Sequence, residues 1–547
     1  MNKSTPPAVH ACLGALGAIA GALGLGTPAS ASPQGPIKLV ASDGFQEDYF
    51  GVSVGISGDT AAVGARLDDD NGSQSGSLYV FDVATGSELR KLRATDGAAY
   101  DRLGSALAMD GNRTLVAAAG DDDNGLDSGS AYLFDVVTGQ ELLKLTPADG
   151  AAGDIFGISV AMDGDLAIIG AFGDDDNGDN AGSAYVFNLA TGQQLHKLLA
   201  ADGQASDFFG GSVGISEGVA IVGAYGDDDN GTLSGSAYLF DVTTGQQLSK
   251  LTPDLSAPLD AFGAVVAIDG PRAVITSTRP NGFSPADSAV YLFDVTTGQQ
   301  LAQLTTAEGT FGTGFGASLA LGEGRILVGA FGAEAGGIAS GSAWEFDLAT
   351  GIELQKLVPI DPEFGDLFGS AVAFDGDVAL VGAYLEDELG DQAGAAYLLP
   401  LSERFGEPDP SCVAVPNSTG VPGGLTGSGQ LDVTQNDCTL TASGLPVGQA
   451  TVLLASKTSL FTPLPAGNSN GNACLGGAIG RFLQQVTVSS PAGRATFAVD
   501  LTAIPQGTGP VTALPGDTWY FQAWHRDSLI PGFTTSNFTD GVSVLFF

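Results

Sequence analysis

The chain has 547 residues, 62 of them acidic and 20 basic, for a formal net charge of -42 at neutral pH. Residues 32–401 carry 53 acidic and 14 basic side chains, whereas residues 402–547 carry 9 and 5, so the acidity belongs to the first region. Nucleic acid and anionic lipid need basic footprints and are excluded as partners; cations, basic surfaces and neutral ligands such as glycans remain, and the charge also keeps a large protein soluble.

Residues 1–31 have the features of a secretory signal. Lys3 supplies a basic start, residues 8–25 an apolar run of small residues and leucine, and Ala29-Ser30-Ala31 an AxA-type cleavage site. The mature chain is expected to begin near Ser32, secreted or at the cell surface, with no other stretch able to span a membrane.

From there to residue 401 one unit recurs. An apolar residue followed by glycine stands at Phe50, Leu103, Phe156, Phe209, Phe262, Phe315 and Phe368, each 53 residues from the next, with no insertion or deletion. A fixed period of this length marks units that bury their faces only against their neighbours. Each unit reads as four short strands, FGxSVA, AIVGA, GSAYLFD and LxKL, separated by DG, NG and TG turns. Four strands in each of seven repeats predict a seven-bladed β-propeller. In the third strand both parities are apolar, as at Tyr132, Leu133 and Phe134, which demands cover on both faces.

The seventh copy ends near Leu401 without its LxKL strand, and an unattached PIKL precedes the first copy, with Lys38 lying 53 residues before Lys91. The N-terminal strand is therefore expected to complete the last blade and close the ring. The lysines of this region are Lys38, Lys91, Lys144, Lys197, Lys250 and Lys356, all at one repeat position, with Gln303 in the seventh place. Lysine on an edge strand discourages pairing with another molecule, which makes LxKL the outermost strand and FGxSVA the innermost.

Four consecutive blades carry DDDNG between their second and third strands. The first and third carboxylates, Asp68 and Asp70, Asp121 and Asp123, Asp174 and Asp176, and Asp227 and Asp229, are candidate calcium ligands, since hard oxygen donors suit that ion and extracellular sites need only weak affinity. The alternative is a solvated turn copied by repeat duplication. Blades five to seven have Pro280-Asn281-Gly282, Ala333-Glu334-Ala335-Gly336 and Glu386-Asp387-Glu388 at this place.

With FGxSVA, VGA and GSAYxFD in this order seven times, residues 36–401 resemble the FG-GAP repeat family, the propellers of integrin α chains and of many secreted bacterial proteins. The resemblance implies extracellular recognition of protein or carbohydrate, often with calcium in blade loops. The integrin DxDxDG calcium loop lies between the FG and GA strands. Here that connection is a tight turn such as Asp163-Gly164, so those ligands do not carry over and DDDNG stands on its own chemistry.

Residues 402–411 read as a polar linker and residues 412–547 as a β-sandwich-like module, with strand-like runs at 438–443, 450–456, 482–489, 495–501, 519–525 and 542–547. Its CLGG, GDTWYFQAWHRD and TSNFTDGVSV segments look like a carboxy-terminal module of secreted bacterial proteins. Of Cys412, Cys438 and Cys474, the first and last are the expected disulfide, Cys438 sharing the buried parity of Leu440 and Ala442, although sequence alone leaves the connectivity open.

No catalytic constellation emerges. Residues 51–55 and 210–214 match GxSxG but lie on innermost strands, not at a strand-to-helix elbow. His196 and His525 stand far apart in the sequence. Blades five and six break the repeat through Arg272, Arg279, Pro280, Asn281, Phe283 and Trp344, which makes that sector the first choice for a binding face. The expectation is a monomeric, non-enzymatic adhesion or recognition protein binding an extracellular protein or glycan; the alternatives are an extracellular polysaccharide hydrolase and a purely structural surface protein.

Overall fold

A computed structural model describes residues 35–277, 288–306 and 313–401, together with the backbone of strand segments between residues 424 and 545. Seven four-stranded antiparallel sheets form the propeller. The first blade orders its strands Phe50–Ser57, Thr60–Ala65, Ser77–Asp82 and Glu88–Leu92 from the axis outward, and blades two to six repeat this order. Blade seven contains Ala371–Asp375, Val378–Ala383 and Ala395–Pro400, and its fourth strand is Ile37–Leu39, with Lys38 paired to Tyr397. The ring closes with main-chain hydrogen bonds through the N-terminal strand, as the orphaned PIKL predicts.

The glycines of the repeat signature are required by the approach of neighbouring blades. At the FG glycine of blade four, Gly210, φ is +88°, a conformation that side chains disfavour. A Cβ on the GA glycine of the same blade, Gly223, would lie 2.0 Å from the Gly263 carbonyl of the next blade. The FG phenylalanine fills the seam between blades. Phe50 meets Tyr79 and Phe81 edge to face at 5.4 and 5.8 Å while sharing a core with Leu380 and Leu398 of blade seven. Third strands such as Ser77–Asp82 are buried on both faces, as their two-parity apolar pattern requires.

The lysine strand is outermost, but its lysines are not solvated edge guards. Lys91 stands opposite Tyr79 in the ladder, and its side chain folds back over the ring, 4.9 Å from the centroid. The edges are blunted instead by a bulge, present between Val80 and Phe81 and at the same place in blades two to six.

All described elements are strands, and no helix of the described residues is long and apolar enough to cross a membrane. Beyond the propeller, Gly424–Gly429, Cys438–Ser443 and Ala495–Val499 form one antiparallel sheet, and Ala450–Ser456 pairs with Thr518–Ile530 in another. The signal segment, the linker and the cysteine pairing lie outside the described residues.

Candidate functional site on the loop face

The candidate calcium ligands are brought together as pairs, and each pair surrounds an ammonium group. In blade four, Lys250 Nζ lies 2.7 Å from Asp227, 2.6 Å from Asp229 and 2.8 Å from Asp202. Asp202 belongs to the linker that brings the chain into the blade, so the lysine ties that linker to the blade's own loop. The Tyr238 hydroxyl donates to Asp227 at 2.7 Å, and its ring lies under the ammonium at 5.3 Å. Lys91 holds Asp43, Asp68 and Asp70 in the same way, Lys144 holds Asp96, Asp121 and Asp123, and Lys197 holds Asp149, Asp174 and Asp176. In blade seven Lys38 holds Asp361, Glu386 and Glu388.

Burial alone would depress these lysines, but their carboxylate hydrogen bonds outweigh it and hold them above their ordinary range. Burial also opposes ionisation of the linker carboxylates Asp43, Asp96, Asp202 and Asp361, yet the lysine and tyrosine donors hold all four below the usual range. Asp202, Asp227 and Asp229 place ligand oxygens within 4.8 Å of one another, a set able to hold a divalent cation. The positive charge among them is that of Lys250.

The repeat frame carries a signal of this unit that the DDDNG motif alone misses. The three acids lie 48, 23 and 21 residues before their lysine. In blade five the lysine position is Gln303, and the corresponding acid positions are Leu255, Pro280 and Gly282, so all four partners are lost together. In blade six the acid positions of the loop are Ala333 and Ala335, and Lys356 instead donates to the Glu334 carbonyl at 2.8 Å and lies over Trp344.

A second set of carboxylates lies behind the loops. Asp48, Asp101, Asp207 and Asp366 are buried, and each accepts the backbone N–H three residues earlier. Burial pushes all four up to about 6. Asp154 accepts the Ala151 N–H and is raised for the same reason.

The residues considered for catalysis have structural partners. Ser53 Oγ donates to the Gly104 carbonyl at 2.7 Å, and Ser212 Oγ accepts from the Val266 N–H at 2.9 Å, both across blade seams. His196 Nε2 lies 3.1 Å from the Thr243 carbonyl oxygen on the surface. Of the altered sector, Trp344 is only 1% exposed and belongs to the core, and Arg272 pairs with Asp294 at 2.7 Å. Arg279, Pro280, Asn281 and Phe283 lie outside the described residues.

Residues 37–81, 87–134, 140–187, 193–240 and 352–399 match the FG-GAP repeat. Each match starts at the outermost strand of one blade and runs through three strands of the next, the same offset by which the ring closes. The stretch left unmatched between residues 240 and 352 holds blade five and the first three strands of blade six, where the repeat chemistry is altered. No curated protein matches the chain.

Proposed function

The chain belongs through its seven-bladed propeller to the FG-GAP repeat family, and we propose that it acts as an exported recognition or adhesion protein that binds an extracellular protein or glycan without catalysing a reaction. The observation that carries this reading is the engagement of reactive groups in repeated structural contacts. The lysines of five blades are each paired with an acid triad, the GxSxG serines bridge blades, and the raised carboxylates occur at one equivalent position in blade after blade. Catalysis needs a locally unique pairing of groups with separated proton affinities. Export would follow from residues 1–31, with cleavage after Ala31.

Two measurements test the proposal together. Mature protein recovered outside the cell should begin at Ser32, and it should bind an immobilised extracellular protein or glycan while releasing no product from a panel of polysaccharides. Retention of residues 1–31, or turnover abolished by one carboxylate substitution, would refute it.

Calcium is a second reading, favoured by the oxygen cluster at Asp202, Asp227 and Asp229. A calcium ion there must displace or compete with the Lys250 ammonium, and the equivalent lysines guard Asp68 and Asp70, Asp121 and Asp123, and Asp174 and Asp176. We therefore assign the cation's structural role to the lysines and expect the wild-type fold to be indifferent to chelator.

A further inference from the structure

The residue before each FG pair adopts a left-handed backbone in all seven blades. It is Tyr49, Arg102, Ile155, Phe208, Ala261, Gly314 and Leu367, with φ between +49° and +66°. Glycine satisfies this geometry without strain, as Gly314 illustrates, whereas aromatic and β-branched residues there are uncommon and strained. The chain nevertheless places Tyr, Phe and Ile at positions where the backbone favours glycine.

These residues precede the innermost strands, and Arg66, Phe172, Tyr225, Phe331 and Tyr384, each following the second strand of its blade, lie beside them, so together they rim the axial opening on the loop face. Phe208 stacks on Tyr225 with centroids 5.0 Å apart and 8° between planes, and Phe172 of the preceding blade meets Phe208 edge-on at 5.9 Å. At the seam between blades seven and one, Tyr49 meets Tyr384 at 5.4 Å, and the Arg66 guanidinium lies 5.5 Å from the Tyr49 centroid. All are half-buried, so part of each side chain faces solvent. The hydroxyls of Tyr49, Tyr225 and Tyr384 have no hydrogen-bond partner among the described residues. The chain joins the propeller at Ile37 and leaves it at Leu401, beside the Asp377 turn on the opposite face, so neither junction crosses this opening.

We propose that this aromatic rim is a carbohydrate-binding site that takes a neutral sugar residue of an extracellular glycan, which rests on the recognition reading above and narrows it. Charge selects the ligand class. The DDDNG carboxylates Asp69, Asp122, Asp175 and Asp228 are exposed on the same face and repel anions. Arg66 already holds the cation position over Tyr49, which disfavours a second cation there, and in the next blade the place of Tyr49 is taken by Arg102, paired with Asp127 at 3.6 Å. A neutral sugar matches what remains. Its C–H faces stack on the rings, and its hydroxyls pair with the tyrosine hydroxyls and the guanidinium.

The test uses the full mature chain on immobilised neutral oligosaccharides, acidic oligosaccharides and Lys/Arg-rich peptides, compared with Tyr49→Asn, Phe208→Asn and the outer-strand control Leu248→Ser. Asparagine tolerates the left-handed backbone, and thermal melting verifies that each variant is folded. The expected result is binding of a neutral oligosaccharide that weakens at least tenfold in one or both rim variants and is unchanged in the control. Equal glycan binding by all four proteins overturns the site and leaves recognition standing. Binding of basic peptides alone overturns the sugar assignment, and absence of binding to every probe overturns both the site and the recognition reading.

Discussion

Replacing Lys250 by methionine removes a positive charge from three carboxylates while keeping most of the side-chain volume. Asp202 and Asp229 are 42% and 46% exposed, so their pairs with the lysine are each worth about 0.2–1 kcal/mol, as for other surface ion pairs. Asp227 is 4% exposed, and losing the partner of a buried charge costs about 3–5 kcal/mol in full burial. The Tyr238 hydroxyl stays in place for Asp227 and the lysine itself is 20% exposed, which reduces that figure. A net loss of about 2–3 kcal/mol follows, read as a fall of several degrees in melting temperature. The vacated triad should then accept calcium. With a dissociation constant of about 0.1–1 mM, 10 mM calcium would restore roughly 1.4–2.7 kcal/mol. Melting curves of wild type and Lys250→Met in chelator, magnesium and calcium decide the matter. Unchanged melting of the variant in chelator would refute the structural role of the lysine, and a calcium-selective rise in wild type would refute its role as the resident cation.

Asp207 is raised to about 6 by burial, so the folded state binds its proton more readily than the unfolded chain, and this group adds stability as pH falls from about 7 towards 4. Asp207→Asn keeps an acceptor for the Gln204 N–H and should stabilise the protein by about 1–2 kcal/mol at pH 8, with the gain vanishing near pH 4; a loss of stability at pH 8 would count against the burial argument. The linker acids of the lysine clamps have lowered folded values, so their contribution is present above the ordinary carboxylate range and is lost below it. Melting temperature should therefore rise from pH 8 to about 5 and fall steeply below about 4. In blade six, Arg325 bridges the wholly buried Glu345 to Asp377 of blade seven, so Arg325→Met should cost about 3–5 kcal/mol, and adding Glu345→Leu should recover much of it in chemical denaturation. Deleting residues 32–40 removes the strand that closes the ring and the Lys38 clamp; limited proteolysis should then cut blade seven first, and unchanged resistance would argue against closure as a source of stability.

The architecture of the propeller was legible because the repeat is a strict one. A period of 53 residues, apolar parity within each strand, turn glycines and the displaced PIKL together specify four-stranded blades and the strand that closes them, since each blade can bury its faces only against its neighbours. The position of the lysines on the outermost strand could also be read, but their role could not. An edge position suggests solvation, whereas Lys250 turns inward because folding lays the Asp202 linker, 48 residues away, over the Asp227 loop and the Tyr238 ring. Local motif chemistry identified DDDNG as a place for a cation, and only the packing of linker on loop supplied that cation from the chain itself. Trp344 looked like a surface departure for a similar reason, since a large side chain at a broken repeat gives no sign that it fills the tyrosine's place in the core. Tyr49 and Tyr384 lie 335 residues apart, and their meeting depends on the closure of blade seven against blade one. What the amino-acid order determined by itself was the blade and its repetition; what only the closed ring decided was which charges neutralise one another and which aromatic side chains share the axial opening, because those contacts join segments that become neighbours only after the blades have packed.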